Sequence, residues 1–154
     1  MKLIKKKKVI HDKKHQMFYE FSLLKSIDHP HILRLYELFE DRKNYYLVTE
    51  FCAGLDVLSQ IQKTDHFKES DAISIFRQIL SAILYCHDNN IVHRDIKADN
   101  IIFTKNDIHS PVKLIDFGIS VKFQKNIPLK DKTGTVSLFL YKFFRYFLYI
   151  IFSL

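Results

Sequence analysis

With 154 residues, 47% of them hydrophobic and 14% aromatic, the chain has the length of one domain and enough apolar side chains for a packed core. Its formal charge of +7 is concentrated early, in the lysines at 5–8 and 13–14. No aromatic residues alternate with these lysines as a base-stacking platform requires, so they read as a solvated face and nucleic acid is not an expected partner. Two cysteines, Cys52 and Cys86, lie far apart and outside any Cys-x-x-Cys, which argues against a disulfide framework or a zinc site and for a reducing, cytoplasmic setting. His29-Pro30-His31 has no cysteine or carboxylate cluster to complete a metal shell. The basic beginning is followed by no long apolar core, so it does not read as a secretory signal. There is no internal repeat and no calcium-loop pattern.

Taken in chain order, residues 1–10 (MKLIKKKKVI) predict a short strand leaving into a basic turn. Apolar residues at 17, 18, 21, 24 and 27 give residues 16–27 a helical period. Two aromatic-rich apolar runs, 32–39 and 45–51, flank the polar stretch 40–44 and predict a hairpin. Residues 67–90 carry the longest helical signal, with a stripe at 72, 73, 75, 76, 79, 80, 82, 83 and 84. Ser70 or Asp71 is the expected cap, and Asp88-Asn89-Asn90 the stop. A strand at 101–103, a turn through 106–111 and a strand at 112–115 follow.

The chemistry concentrates in residues 91–100, IVHRDIKADN, between the long helix and the next strand. Phosphoryl transfer asks little covalent work of a protein. It needs a carboxylate to orient the attacking hydroxyl, a cation near the moving group and oxygen ligands for Mg²⁺. Asp95, Lys97 and Asn100 offer these from one short loop. Asp116-Phe117-Gly118 stands 16 residues beyond Asn100, at the end of a strand. Asp-Phe-Gly alone is a weak signal; after His-Arg-Asp-x-Lys-x-x-Asn and a hairpin it is a specific one.

These two motifs resemble the catalytic loop and the metal-binding turn of eukaryotic protein kinases, and Lys97 gives the first of them the serine/threonine pattern. EFSLLKSIDHPHIL, beginning at Glu20, is similar to the EIxxLKxLDHPNI of the calcium-dependent and calmodulin-dependent kinases. Several roles are implied by the resemblance. Asp95 would orient the substrate hydroxyl, Lys97 would stabilise charge, and Asn100 and Asp116 would bind Mg²⁺. Lys2, 18 residues before Glu20, would be the strand lysine that holds the ATP phosphates and pairs with Glu20. Thr49 would back the nucleotide pocket, Glu50 and Cys52 would lie in the adenine-binding hinge, Asp56 would lie near the ribose and Ile102 against the nucleotide. Phe117 would pack under the Glu20 helix, and Gly118 would permit the backbone turn. The fold class implied is α/β, a partial two-lobed kinase-like fold over residues 1–135, with ATP and Mg²⁺ as cofactors and a protein bearing Ser or Thr as substrate.

Residues 119–135 resemble an activation segment. Asp131 stands where many kinases carry a phosphothreonine and is expected to pair with Arg94; Thr133 is a candidate phosphosite. Gly134-Thr135 begins the family's GTxxYxAPE, and the match then stops. Residues 136–154 form an apolar tail with Lys142 and Arg145 near its middle, each costing about 2.5 to 3.5 kcal/mol inside a bilayer, so a membrane span is disfavoured. Besides a membrane span, the tail has two other readings: a cover for the underside of a partial kinase, and translated intron or frameshifted sequence. The abrupt change inside a motif favours the last. The three glycines, at 54, 118 and 134, leave none for a glycine-rich phosphate lid. A catalytically inactive kinase fragment or pseudokinase-like binding protein is therefore the alternative to a serine/threonine kinase.

Overall fold

The computed structural model describes residues 2–6, 11–64 and 67–123, with the backbone alone at residues 2 and 11–13. The expectations for Asp131, Thr133, Gly134, Thr135 and the tail at 136–154 lie outside the described residues.

Three antiparallel strands form the first layer: β1 (Lys2–Lys5), β2 (Leu35–Glu40) and β3 (Asn44–Thr49), in the order β1–β3–β2. In central β3, alternation puts Tyr45 and Leu47 into the core. Asp41 closes the hairpin. Its Oδ1 accepts the N–H groups of Lys43 and Asn44, each at 2.6 Å, and its Oδ2 accepts the Tyr46 hydroxyl at 2.6 Å. The Tyr46 bond first, and then the two backbone bonds, hold its carboxyl down at about 2. These local bonds shorten the turn, so Glu40 and Asn44, expected in it, belong to the strands.

Helix α1 (His11–Lys25) starts five residues before the apolar period does, because residues 11–15 are polar and leave no periodic trace. It ends two residues before the expected Ile27. There the N–H of Ser26 reaches Leu23 O and that of Ile27 reaches Leu24 O, three-residue bonds that tighten the last turn. Met17, Leu23 and Leu24 are its buried side chains.

Helix α2 (Val57–Thr64) had no counterpart in the sequence reading. Asp56 caps it, accepting the Ser59 N–H at 2.8 Å and the Ser59 hydroxyl at 2.6 Å. Helix α3 (Glu69–Asp88) follows. Its N-cap is Lys68, with no side-chain cap bond, so neither Ser70 nor Asp71 caps it. Asp71 sits inside the first turn, where its charge faces the positive end of the helix dipole. Ala72, Ile75, Ile79, Ala82, Ile83 and Cys86 are buried, whereas Ile73 and Leu84 of the expected stripe are exposed by 43% and 60%. At 100° per residue those two fall about 130° and 150° from the centre of the buried face, on the far side of the helix.

Beyond α3 run β4 (Ile91–Val92), β5 (Ile101–Phe103), β6 (Val112–Leu114) and β7 (Val121–Lys122). The hairpin β5–β6 pairs Ile101 with Leu114 and Phe103 with Val112, all four buried against the common core with Ile75, Ile79 and Phe117. The layers join at Leu114, whose N–H reaches His31 O at 2.8 Å and whose O accepts the Leu33 N–H at 3.0 Å. Mixed helices and small sheets of this kind make a partial kinase-like α/β fold. Among the described residues no helix is long and apolar enough to cross a membrane.

Candidate active site

The loop after β4 is organised by a buried histidine. His93 is 3% exposed, and its Nδ1 accepts the Asp95 N–H at 3.2 Å. The ring proton therefore sits on Nε2, which donates to the Ile115 carbonyl at 3.1 Å. Burial is the main cause that pushes this imidazole down to about 4, so it is neutral at pH 7. The His93 ring meets Phe117 edge-on, with centroids 4.6 Å apart, and its carbonyl accepts the Ser120 hydroxyl at 3.1 Å. Arg94 adopts φ 70°, a left-handed conformation costing about 1–2 kcal/mol, and its Nε donates to Ile119 O at 2.5 Å.

This fixed turn presents Asp95, Lys97 and Asn100 together. Asn100 is buried, and its Nδ2 donates to the Asp95 carbonyl at 2.8 Å and to Asp95 Oδ2 at 2.9 Å. With the amide nitrogen so committed, the side-chain oxygen of Asn100 is its remaining acceptor. Lys97 Nζ lies 2.8 Å from the same Asp95 Oδ2. The hydrogen bond to Asp95 is the main cause holding the Lys97 ammonium above its ordinary value. Asp95 Oδ1 has no hydrogen-bond donor among the described residues.

The Asp116-Phe117-Gly118 turn is tied to this loop by the Ile115 N–H, which donates to Asn100 O at 2.9 Å. Phe117 is buried in the common core, packed edge-on against His93. The left-handed residue of the turn is Asp116, with φ 62°, and not Gly118. An aspartate tolerates that conformation because its short side chain bonds locally, here Oδ1 to the Gly118 N–H at 3.2 Å. What Gly118 supplies is close approach: a Cβ there would stand 3.1 Å from Asp116 Oδ1 and 3.7 Å from Glu20 Oε2. The Glu20 carboxylate thus lies beside the turn. Two further α1 side chains reach the same segment. Gln16 donates to Gly118 O at 2.5 Å, and the Tyr19 hydroxyl accepts the Lys122 N–H at 2.8 Å. Lys2 lies in β1 with its backbone paired to Leu47, and its side-chain pairing with Glu20 lies outside the described residues.

Thr49 ends β3 opposite Leu35. Glu50 donates its N–H to Arg34 O at 3.0 Å, so its carbonyl is what a ligand would meet. Its side chain is also engaged: Oε1 accepts the Arg34 N–H at 2.6 Å and lies 2.8 Å from Lys113 Nζ. The Cys52 N–H takes no hydrogen bond among the described residues. Burial first, and then the Glu50 carboxylate, raise the Cys52 thiol. The next residues run along β5, with the Ala53 N–H to Thr104 O at 3.0 Å and the Gly54 N–H to Phe103 O at 3.1 Å. Only glycine fits at 54, since a Cβ would stand 2.6 Å from Phe103 O. Asp56, expected near the ribose, forms a bridge with Ile102 and uses both oxygens to cap α2. Ile102, between two buried neighbours, points to the opposite face of β5, as Lys113 does on β6.

A family model described as the protein kinase domain matches residues 1–139. The chain belongs to the protein kinase family. This kinase chain is 41% identical over 135 residues to calcium-dependent protein kinase 5 of Plasmodium falciparum (isolate 3D7), covering 88% of the chain and 23% of that relative. It is 46% identical over 123 residues to calcium-dependent protein kinase 4 of the same organism, 79% of the chain and 23% of the relative. Sperm motility kinase 3A of Mus musculus is 40% identical over 116 residues, 75% of the chain and 22% of the relative. The chain thus spans less than a quarter of the length of these relatives. Sequence reading missed the parts played by Gln16, Tyr19, Arg34 and Lys113. Each makes a contact between segments far apart in the chain, for which no local pattern exists.

Proposed function

We propose that this chain carries the nucleotide site and catalytic loop of a serine/threonine kinase that transfers the γ-phosphoryl group of Mg-ATP to a protein hydroxyl. The observation that supports this most directly is the convergence of Lys97 and Asn100 on Asp95 Oδ2, which leaves Oδ1 to orient a substrate hydroxyl. Lys97, exposed and cationic, can exchange its carboxylate partner for a phosphoryl oxygen as charge develops there. The Glu50 carbonyl and the Cys52 N–H are the acceptor and donor suited to an adenine edge, with Thr49 behind them. Ile102 supplies an apolar floor, and Asp56 a carboxylate next to that floor.

The donor set also suits Mg²⁺. Among the described residues no three or more His, Cys, Asp or Glu gather as a metal site. Magnesium, however, commonly takes one or two protein oxygens and fills its shell with phosphates and water. Asp116 is exposed with one oxygen bonded only to the Gly118 N–H, and Asn100 offers its amide oxygen. These two would hold the ion, which neutralises phosphate charge when bound. The role proposed for Glu20, whose carboxylate lies beside Gly118, is to pair with the strand lysine, for which Lys2 is the candidate.

The test is phosphate incorporation into a Ser/Thr peptide with Mg-ATP, for the unaltered chain and for Asp95→Ala. Loss of the orienting carboxylate is expected to lower the rate by about 10²–10⁴-fold while nucleotide binding persists. Equal incorporation by both chains would remove Asp95 from its role. Nucleotide binding with no incorporation by either would assign the chain to the inactive, binding class.

A further inference from the structure

The Glu50–Lys113 ion pair has no part in the chemistry above, yet its geometry is specific. The Lys113 and Glu50 side chains are exposed by only 13% and 20% respectively, and their charged atoms lie 2.8 Å apart. Glu50 is held at three points. Its N–H and one bond of its Oε1 go to the backbone of Arg34 in the segment entering β2, and among the described residues Lys113 alone ties it to the β5–β6 hairpin. Lys113 stands opposite Ile102 in the register and three residues before Asp116. The pair therefore spans from the segment that carries Cys52 to the hairpin that carries the apolar floor.

We propose that Lys113 is a positioning residue, whose ion pair with Glu50 sets the separation between hinge residues 50–52 and the β5–β6 floor, ahead of the point where Ala53 and Gly54 join β5 by their own N–H bonds. That this separation matters to adenine rests on the kinase reading; the positioning itself does not. A shielded pair resists displacement more than a surface pair does, because separating it leaves a charge partly buried without its partner. A hinge free to drift from β6 would lose the register of the Glu50 carbonyl and the Cys52 N–H against any planar ligand resting on Ile102. The Cys52 thiol senses both charges, raised by Glu50 and opposed by Lys113, which places the pair within electrostatic reach of the hinge.

The experiment compares the unaltered chain with Lys113→Met, which keeps the apolar stem, and with Lys113→Arg, which keeps the charge. Hydrogen exchange without nucleotide reads the hinge directly, and adenosine titration reads its use. Lys113→Met is expected to speed exchange at the hydrogen-bonded Glu50 and Ala53 amides by about tenfold with α3 unchanged, and to weaken adenosine by about tenfold; Lys113→Arg keeps both within about twofold. Flat exchange at the Glu50 and Ala53 amides, or equal acceleration throughout α3, overturns the inference, the latter because it marks a purely structural role. If exchange follows the expected pattern and no variant binds adenosine, the positioning stands and the nucleotide reading fails.

Discussion

The catalytic loop and helix α1 meet at the same three residues, Asp116 to Gly118, but different forces hold them there. On the loop side the anchoring contacts are buried: His93 has both ring nitrogens bonded, Asn100 has its amide nitrogen bonded, and Phe117 sits in the common core, while Arg94 and Asp116 keep left-handed backbones. On the α1 side the bonds from Gln16 and to Tyr19 are solvent-exposed, and Phe18 and Tyr19 are 37% and 41% accessible. Exposed neutral hydrogen bonds contribute about 0.5–1.5 kcal/mol each. The loop geometry is therefore set by the core, whereas the bonds from α1 to the segment after Phe117 open at small cost even though Leu23 and Leu24 anchor the helix itself in the same core.

The contrast can be broken most forcefully at Phe117. Phe117→Ala should cost about 3–5 kcal/mol in urea unfolding, through the cavity it leaves beside His93, while Phe18→Ala on α1 should cost under about 1 kcal/mol. Equal losses would erase the distinction between the two regions.

Acid attacks the same side. His93 has a folded-state value depressed from 6.5 to about 4, so its contribution is fully present above about pH 6.5 and is lost as pH falls toward 4. The shift corresponds to about 3 kcal/mol over that window. His29, lowered mainly by burial, adds a loss of the same sign. Stability measured at pH 7, 5.5 and 4.5 should decline steadily; a flat profile between 7 and 5 would show that His93 is not held neutral by burial. Asp41, held at about 2, titrates below this range and does not confuse it.

The smallest effect belongs to α1. Tyr19→Phe removes the acceptor for the Lys122 N–H and should cost about 0.5–1 kcal/mol, with faster exchange at the Lys122 amide and none at Ile115. Acceleration at both amides would mean that the two regions open together.

Much of the candidate site was readable before folding is considered. Asp95, Lys97, Asn100 and Asp116 stand at spacings set by chemistry, and the hairpin and α3 carried clear periodic signals. Other features had none. VLSQIQKT is too short for a convincing period, so α2 and its Asp56 cap went unseen. The turn at 116–118 looked like glycine's work, and the structure gives the left-handed conformation to Asp116.

The sequence by itself determined the local elements and the identity of the reactive groups, because periodicity, turn chemistry and motif spacing are encoded within a few neighbouring residues. The tertiary structure alone decided the His93 tautomer, the meeting of Lys113 with Glu50 and of Gln16 and Tyr19 with the segment after Phe117. Those outcomes depend on which distant groups the packed core brings within hydrogen-bonding reach and shields from water. No pattern in the chain between residues 50 and 113 announces that they will share a bond.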